Sequence, residues 1–249
     1  MGASMKKLLV TAALLACATG VAGAADLPVK AAPAPAPEVY NWTGVYVGGG
    51  LGYVWEDYTG NFVNPPPGSW EINQAVALAF AKAGAQYQFG GNFVLGVEGQ
   101  FAAIIGNNSA IDNVGLNMTG GFANNISSVG GRAGFVCCWG RLMPFVSGGY
   151  ATTRVDNVFN LPSGQFESAR TNHDGAYVGG GFDWYAMPHV LFTIEYRHYE
   201  FDSQNATPTN GSTGAPVPAD SWTIKPKADT VTVGLAWLFD WGGPVVAKY

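Results

Sequence analysis

The sequence predicts an all-β fold: eight antiparallel strands running up and down, closed into a barrel that spans a membrane. Three observations predict it. Bulky and small or polar residues alternate with a period of two over eight stretches. The links between those stretches alternate long and short, as membrane barrels require of loops on one side and turns on the other. Glycine is abundant, 35 of 249 residues, and aromatics make up 13% while charged residues make up only 12%. That balance suits a surface turned largely to hydrocarbon.

The chain opens with Lys6-Lys7, an apolar run from Leu8 to Ala16, and Ala22-Gly23-Ala24. A positive start, a short greasy middle and small residues at the cut form a secretory signal, residues 1–24. An alternative makes Leu14-Leu15-Ala16-Cys17 a lipoprotein box, but Leu15 is large where such a box prefers a small residue. No later apolar run is long enough for a transmembrane helix. Loss of 1–24 removes two lysines and no acids. Ten basic residues then face 17 acidic ones, a net of −7. Such a chain has no basic patch for phosphates, so nucleic acid is not an expected partner. Residues 25–41 place Pro33, Pro35 and Pro37 on alternate positions and read as a stiff periplasmic leader.

The barrel is expected over 42–239, with a tail at 240–249. The first stretch, Trp42–Trp55, sets Val45, Val47, Leu51, Tyr53 and Trp55 against Gly44, Gly48, Gly50 and Gly52. The second, about 75–89, puts Tyr87 and Phe89 outward and Lys82 inward; its alanines also permit a helix. The third, Phe93–Ile105, turns Glu98 and Gln100 inward. The fourth, about 126–136, turns Arg132 inward and Phe135 outward. The fifth, about 142–155, shows Val146 and Tyr150. The sixth, about 176–186, sets Asp183 against Trp184. The seventh, Val190–Phe201, sets Glu195 and Arg197 against Phe192, Ile194 and Tyr196. The eighth, Asp229–Phe239, alternates Val231, Val233, Leu235, Trp237 and Phe239 with Thr230, Thr232, Gly234 and Ala236. Gly90-Gly91-Asn92, Cys138–Arg141 and Met187-Pro188-His189 are tight links. The stretches 56–74, 106–125, 156–175 and 202–228 read as long polar loops, the last of them mobile.

Two groups of residues follow from the strand phase. Lys82, Glu98, Gln100, Arg132, Asp183, Glu195 and Arg197 point into a lumen that side chains fill. Charges there must pair, and Glu98 with Arg132 on the neighbouring strand is the expected central pair. The network reads as a plug that holds the barrel's shape, with a gated pore as the alternative. Trp42, Tyr87, Phe89, Phe93, Phe135, Trp184, Phe192, Trp237 and Phe239 read as an aromatic girdle at the periplasmic level.

Other chemistry finds little support. Cys137 and Cys138 are two ligands where a structural zinc site wants four. His173 beside Asp174, with Ser168 nearby, is the one candidate for nucleophilic catalysis, and no phosphate-binding helix follows Gly48-Gly49-Gly50. No enzyme activity, cofactor or metal is expected.

Asn41-Trp42-Thr43-Gly44-Val45-Tyr46-Val47-Gly48 resembles the opening strand of the small outer-membrane surface antigens of alphaproteobacteria, relatives of the OmpA-like eight-stranded barrels. Gly131–Phe135, Pro144–Gly149, Val178–Trp184, Ile194–Tyr196 and the end Gly242–Tyr249 are similar to further motifs of that family, in order. The resemblance implies an integral protein of the cell outer membrane without an active site. It implies lipid and lipopolysaccharide around a monomer, assembly through the C-terminal strand by the barrel-assembly machinery, and loops open to host or phage. A low-conductance porin and a loop-borne haemin or ligand binder are the alternatives.

Overall fold

The computed structural model describes residues 40–62, 69–90, 92–105, 109–111, 117–160 and 166–241. The signal segment, all but Tyr40 and Asn41 of the leader, and the tail beyond Trp241 lie outside the described residues.

The strands are β1 (Gly44–Phe62), β2 (Ser69–Gln88), β3 (Phe93–Ile104), β4 (Ser109–Ile111), β5 (Asn117–Phe135), β6 (Leu142–Asn160), β7 (Phe166–Met187), β8 (Val190–Phe201), β9 (Gln204–Ala206), β10 (Thr209–Asn210) and β11 (Trp222–Asp240). Eight of them form an antiparallel ring in the order β1-β2-β3-β5-β6-β7-β8-β11, and β11 returns to β1. The alanines of β2 are strand, not helix, because β1 and β3 flank them along their length. Pairing overrides the intrinsic preference of alanine.

Register fixes the shape of the ring. Stepping from Gly44 to its partner on each strand in turn visits Gln86, Gly96, Arg132, Ser147, Gly179, Arg197 and Thr230, and returns to β1 at Val54. The return is ten residues higher, so the shear is ten. With ordinary strand spacing and rise, that tilts the strands by about 43° and gives a radius of about 8 Å. From Phe93, which opens β3, to Ile105, just past its end, the outward apolar residues cover about 29 Å along the axis at that tilt, enough to cross a hydrocarbon layer.

The faces separate cleanly. Val97, Val233 and Leu235 are 62%, 43% and 55% exposed, while Glu98, Arg132 and Glu195 are 5% exposed or less. The large apolar side chains therefore look out of the ring and the charges look in. Inside, two apolar clusters stack along the axis. At the end bearing the short turns lie Trp42, Tyr46, Val94, Val136, Met143, Tyr185, Leu191, Ala236 and Leu238. In the other half, Val54, Leu78, Phe80, Ile126, Tyr177, Tyr199 and Phe201 are packed together.

Inward glycines receive the rings of this filling. A Cβ added to Gly84 would lie 2.4 Å from the Tyr46 ring, and one on Gly130 would lie 2.6 Å from the Tyr177 hydroxyl. Gly84→Ala is therefore expected to displace Tyr46 and destabilise the barrel by about 1–3 kcal/mol, the usual range for overpacking. Urea unfolding of the protein in lipid vesicles measures it.

The long links are shorter as loops than the sequence suggests. Most of 56–74 and 156–175, and part of 202–228, is strand: β1, β2 and β11 continue well past the last outward apolar residue, and β6 and β7 well past Tyr150 and Val178. Beyond Tyr150, β6 keeps its pairing with β7 through Asn160↔Phe166. Its outward residues there include the polar Thr152, Arg154 and Asp156, and Asp156 pairs with Arg170. The stretch 202–228 is folded: β9 pairs with β11, β10 pairs with β7, and Trp222 and Ile224 are buried. Polar outward residues hid these extensions, because the inward residues that support them recur every second position among hydrophilic neighbours.

Candidate functional site: the charged interior

Between the two apolar clusters lies a polar layer. It is built by alternation: β2 supplies Lys82 and Gln86, β3 Glu98 and Gln100, β5 Ser128 and Arg132, β6 Ser147, β7 Asp183, and β8 Thr193, Glu195 and Arg197, all buried. Glu98 is its hub. Its Oε2 accepts from the Tyr46 hydroxyl at 2.7 Å and lies 3.3 Å from Arg132 Nη1 and 3.4 Å from Lys82 Nζ. Its Oε1 accepts from Arg197 Nη2.

Two arms extend from the hub. Arg132 Nη2 reaches Asp183 Oδ2 at 2.5 Å, and Asp183 Oδ1 accepts from Thr193, whose hydroxyl accepts in turn from Lys82. Arg197 grips Glu195 with two nitrogens, Nε to Oε1 at 2.8 Å and Nη2 to Oε2 at 2.9 Å, and its third nitrogen donates to Ser128. Ser147 donates to Glu195 as well. The fork geometry of arginine suits the bidentate grip of Arg197 on Glu195 and lets Arg132 bridge two carboxylates. The guanidinium of Arg132 lies 3.9 Å from the centre of the Phe145 ring, and that of Arg197 lies 4.8 Å from that of Tyr177. Ring faces thus cover the cations where no carboxylate does.

Three cations, Lys82, Arg132 and Arg197, face three carboxylates, Glu98, Asp183 and Glu195. The layer is neutral, which a low-dielectric interior demands. Among the described residues, Gln86 has neither amide atom hydrogen-bonded within the protein and Gln100 lacks a partner for Oε1. Buried amides of this kind are where internal waters sit.

All seven residues of the anticipated network therefore share one layer, and Glu98 and Arg132 are in contact. Ser128 is expected inward beside Arg132, whereas Tyr46, Ser147 and Thr193 are not singled out from the sequence. Thr193 has the parity of Glu195 on its own strand, Tyr46 that of Gly44 and Gly48, and Ser147 the parity opposite to the outward Val146 and Tyr150, so alternation alone points to them.

The aromatic set needs one correction. Tyr87, Phe89, Phe93, Phe135, Trp184, Trp237 and Phe239 are exposed at the short-turn end, and Phe192 is half-buried beside Trp184. Trp42 is not among them: it is fully buried inside the ring. Its indole N–H donates to the Gly140 carbonyl at 2.9 Å and its ring meets Tyr185 edge-on. Trp42 precedes β1, so strand alternation does not govern it. The chain there folds across the mouth, with Asn41 and Thr43 also buried.

The catalytic candidate does not assemble. His173 sits in β7, not in a loop, and points inward, fully buried between Thr171 Oγ1 and the Asp202 carbonyl. Asp174 points outward to Tyr150, and Ser168 lies by Thr209 on β10. Adjacent strand residues face opposite ways, so His173 and Asp174 cannot act together. His189 caps a turn near Asp240, and His198 binds Asp229 at the rim.

The family profile described as "Outer membrane protein beta-barrel domain" matches residues 13–239. This chain belongs to that family. It is accordingly an outer-membrane barrel, and the outward apolar residues face lipid. Among solved structures, the outer membrane protease OmpT of Escherichia coli is similar at 9% identity, covering 79% of this chain and 97% of its own, with a TM-score of 0.50. OprG of Pseudomonas aeruginosa is similar at 11% identity, covering 80% and 97%, also with a TM-score of 0.50. The attachment protein Ail of Yersinia pestis is 16% identical over 79% and 99%, at 0.44. At such identities the likeness is one of fold. No curated protein sequence matches the chain.

Proposed function

We propose that the protein is a monomeric structural barrel of the outer membrane with a closed lumen, presenting a rigid polar crown for surface contacts and catalysing no reaction. The observation that carries this reading is the stacking inside the ring. A neutral, side-chain-filled polar layer is sealed by an apolar cluster on either side. Ions would have to displace paired charges and then cross two greasy plugs.

The exposed rings at the short-turn end, from Tyr87 to Phe239, act as the girdle at one headgroup level. The long strand extensions face the outside of the cell, and the short turns face the periplasm. Outer-membrane lipid and lipopolysaccharide surround the barrel. The assembly machinery takes hold of β11, the strand that must find β1, and host cells or phage meet the crown formed by β6, β7 and the 202–221 segment. The resemblance to the small alphaproteobacterial surface antigens fits this role. His173 and Asp174 on opposite faces of β7, with Ser168 beside Thr209, fit a barrel without a catalytic group at that place.

Planar-bilayer recording of the purified protein tests the reading. Membranes holding the barrel are expected to show no unitary steps above leak. Stable steps would establish the low-conductance porin instead.

A further inference from the structure

The turn between β5 and β6 carries a feature that the barrel does not use. Cys137 pairs with Leu142 through Cys137 N to Leu142 O at 2.8 Å, which leaves Cys138 to Arg141 as the turn. Cys138 and Trp139 both take left-handed backbone, φ 53° and 59°, where glycine is usual. In a strand, neighbouring side chains point to opposite faces. Here the left-handed Cys138 swings its side chain round, and the two sulfurs lie 3.2 Å apart on one side. Cys138 is exposed and Cys137 half-buried. Beside them is a cavity of about 480 Å³ lined by Cys138, Trp139, Arg141, Phe182, Trp184 and Phe192.

A direct bond between these sulfurs is disfavoured. Adjacent Cα atoms are about 3.8 Å apart, closer than the roughly 4.4–6.8 Å that a disulfide bridges without strain. Inserting one atom between the sulfurs relieves that strain. With metal–sulfur bonds of about 2.3 Å, a 3.2 Å separation subtends roughly 90°. That is the bite of a pyramidal acceptor. A linear two-coordinate ion would need the sulfurs about 4.6 Å apart.

We propose that Cys137 and Cys138 form a dithiol site at the short-turn end for a trivalent, pyramidal thiophile of the organoarsenical kind, with the apolar cavity receiving its carbon substituent. The hydrogen bond to Cys138 holds the Cys137 thiol above its usual range. With phenylarsine oxide the balance closes without redox change. Two S–H bonds break, two As–S bonds form, and the oxygen leaves with both protons as water.

The test uses the folded protein in detergent, reduced with a phosphine, desalted and given one equivalent of phenylarsine oxide. Intact mass is expected to rise by one phenylarsenic unit less two hydrogens. The adduct should survive a tenfold excess of a monothiol and be stripped by a dithiol. Cys137→Ser and Cys138→Ser should each lower its affinity at least 100-fold while the unheated band keeps its folded gel mobility. Cys137→Ser/Cys138→Ser controls for Cys17. Adduct formation undiminished in that double variant, or in either single one, overturns the proposal, as does a wild-type adduct that a monothiol removes.

Discussion

Replacing Glu98 with glutamine is expected to destabilise the barrel by about 3–5 kcal/mol, the cost of removing one partner from a buried charge pair. Four donors converge on this carboxylate: Tyr46, Lys82, Arg132 and Arg197. Without its charge, three cations would face only Asp183 and Glu195, in a space that the two apolar clusters close to water. The amide also turns N–H groups toward guanidinium and ammonium. Urea unfolding in lipid vesicles, followed by the heat-modifiable gel band, gives the number. Charge balance rather than one contact should carry the effect, so Glu98→Gln with Lys82→Met should recover most of the loss. Lys82 is the cation to remove, since its remaining hydrogen-bond partner is the Thr193 hydroxyl. A cost under about 1 kcal/mol for Glu98→Gln, the scale of a solvated surface pair, would mean that water reaches the layer and that the lumen is open. The measurement and the bilayer recording thus test the closed lumen by independent routes.

Most of the membrane-crossing part was legible because one rule governs it. Along β11 every second residue from Val231 to Phe239 is bulky and exposed, and those between, small but for Leu238, are buried. The same parity places Lys82, Glu98, Arg132, Asp183, Glu195 and Arg197 inside from the sequence alone. It failed where the chain is not a strand or does not touch lipid. Trp42 belongs to the segment that folds into the mouth, and its identity as an aromatic says nothing about which way that segment turns. His173 looked like a loop residue because Asn172 and Asp174 flank it. Beyond the membrane the outward face meets water, the bulky-outside signal vanishes, and only inward residues such as Tyr58, Val155 and Ile224 mark the strand. Which nitrogen meets which oxygen was not legible either. Alternation gives a side and a height, whereas the hub at Glu98 depends on a shear of ten that brings β1, β2, β5 and β8 to bear on one carboxylate.

Leu235→Arg is expected to cost about 2–4 kcal/mol in lipid vesicles, while Val231→Arg on the same face costs about 0–1 kcal/mol. Leu235 is the middle member of the outward row on β11 and is 55% exposed, so in a water-soluble protein an arginine there would be nearly free. In the membrane its Cα lies halfway along that outward row, far from both ends of the apolar band, and pairs with Gly49 on β1. The guanidinium must reach about half the hydrocarbon thickness to find water or thin the bilayer around it. Val231 sits one residue pair from the rim, where Asp229 and His198 already bond to each other, so an arginine there finds polar partners. The gradient between the two positions is the informative quantity. A fold defect at the β11–β1 seam would penalise both substitutions alike, because both strands pair through this stretch. Only a slab of hydrocarbon makes the cost depend on depth. Unfolding free energies of the two variants in the same vesicles measure that dependence, and equal costs would leave the seam, not lipid, as the cause.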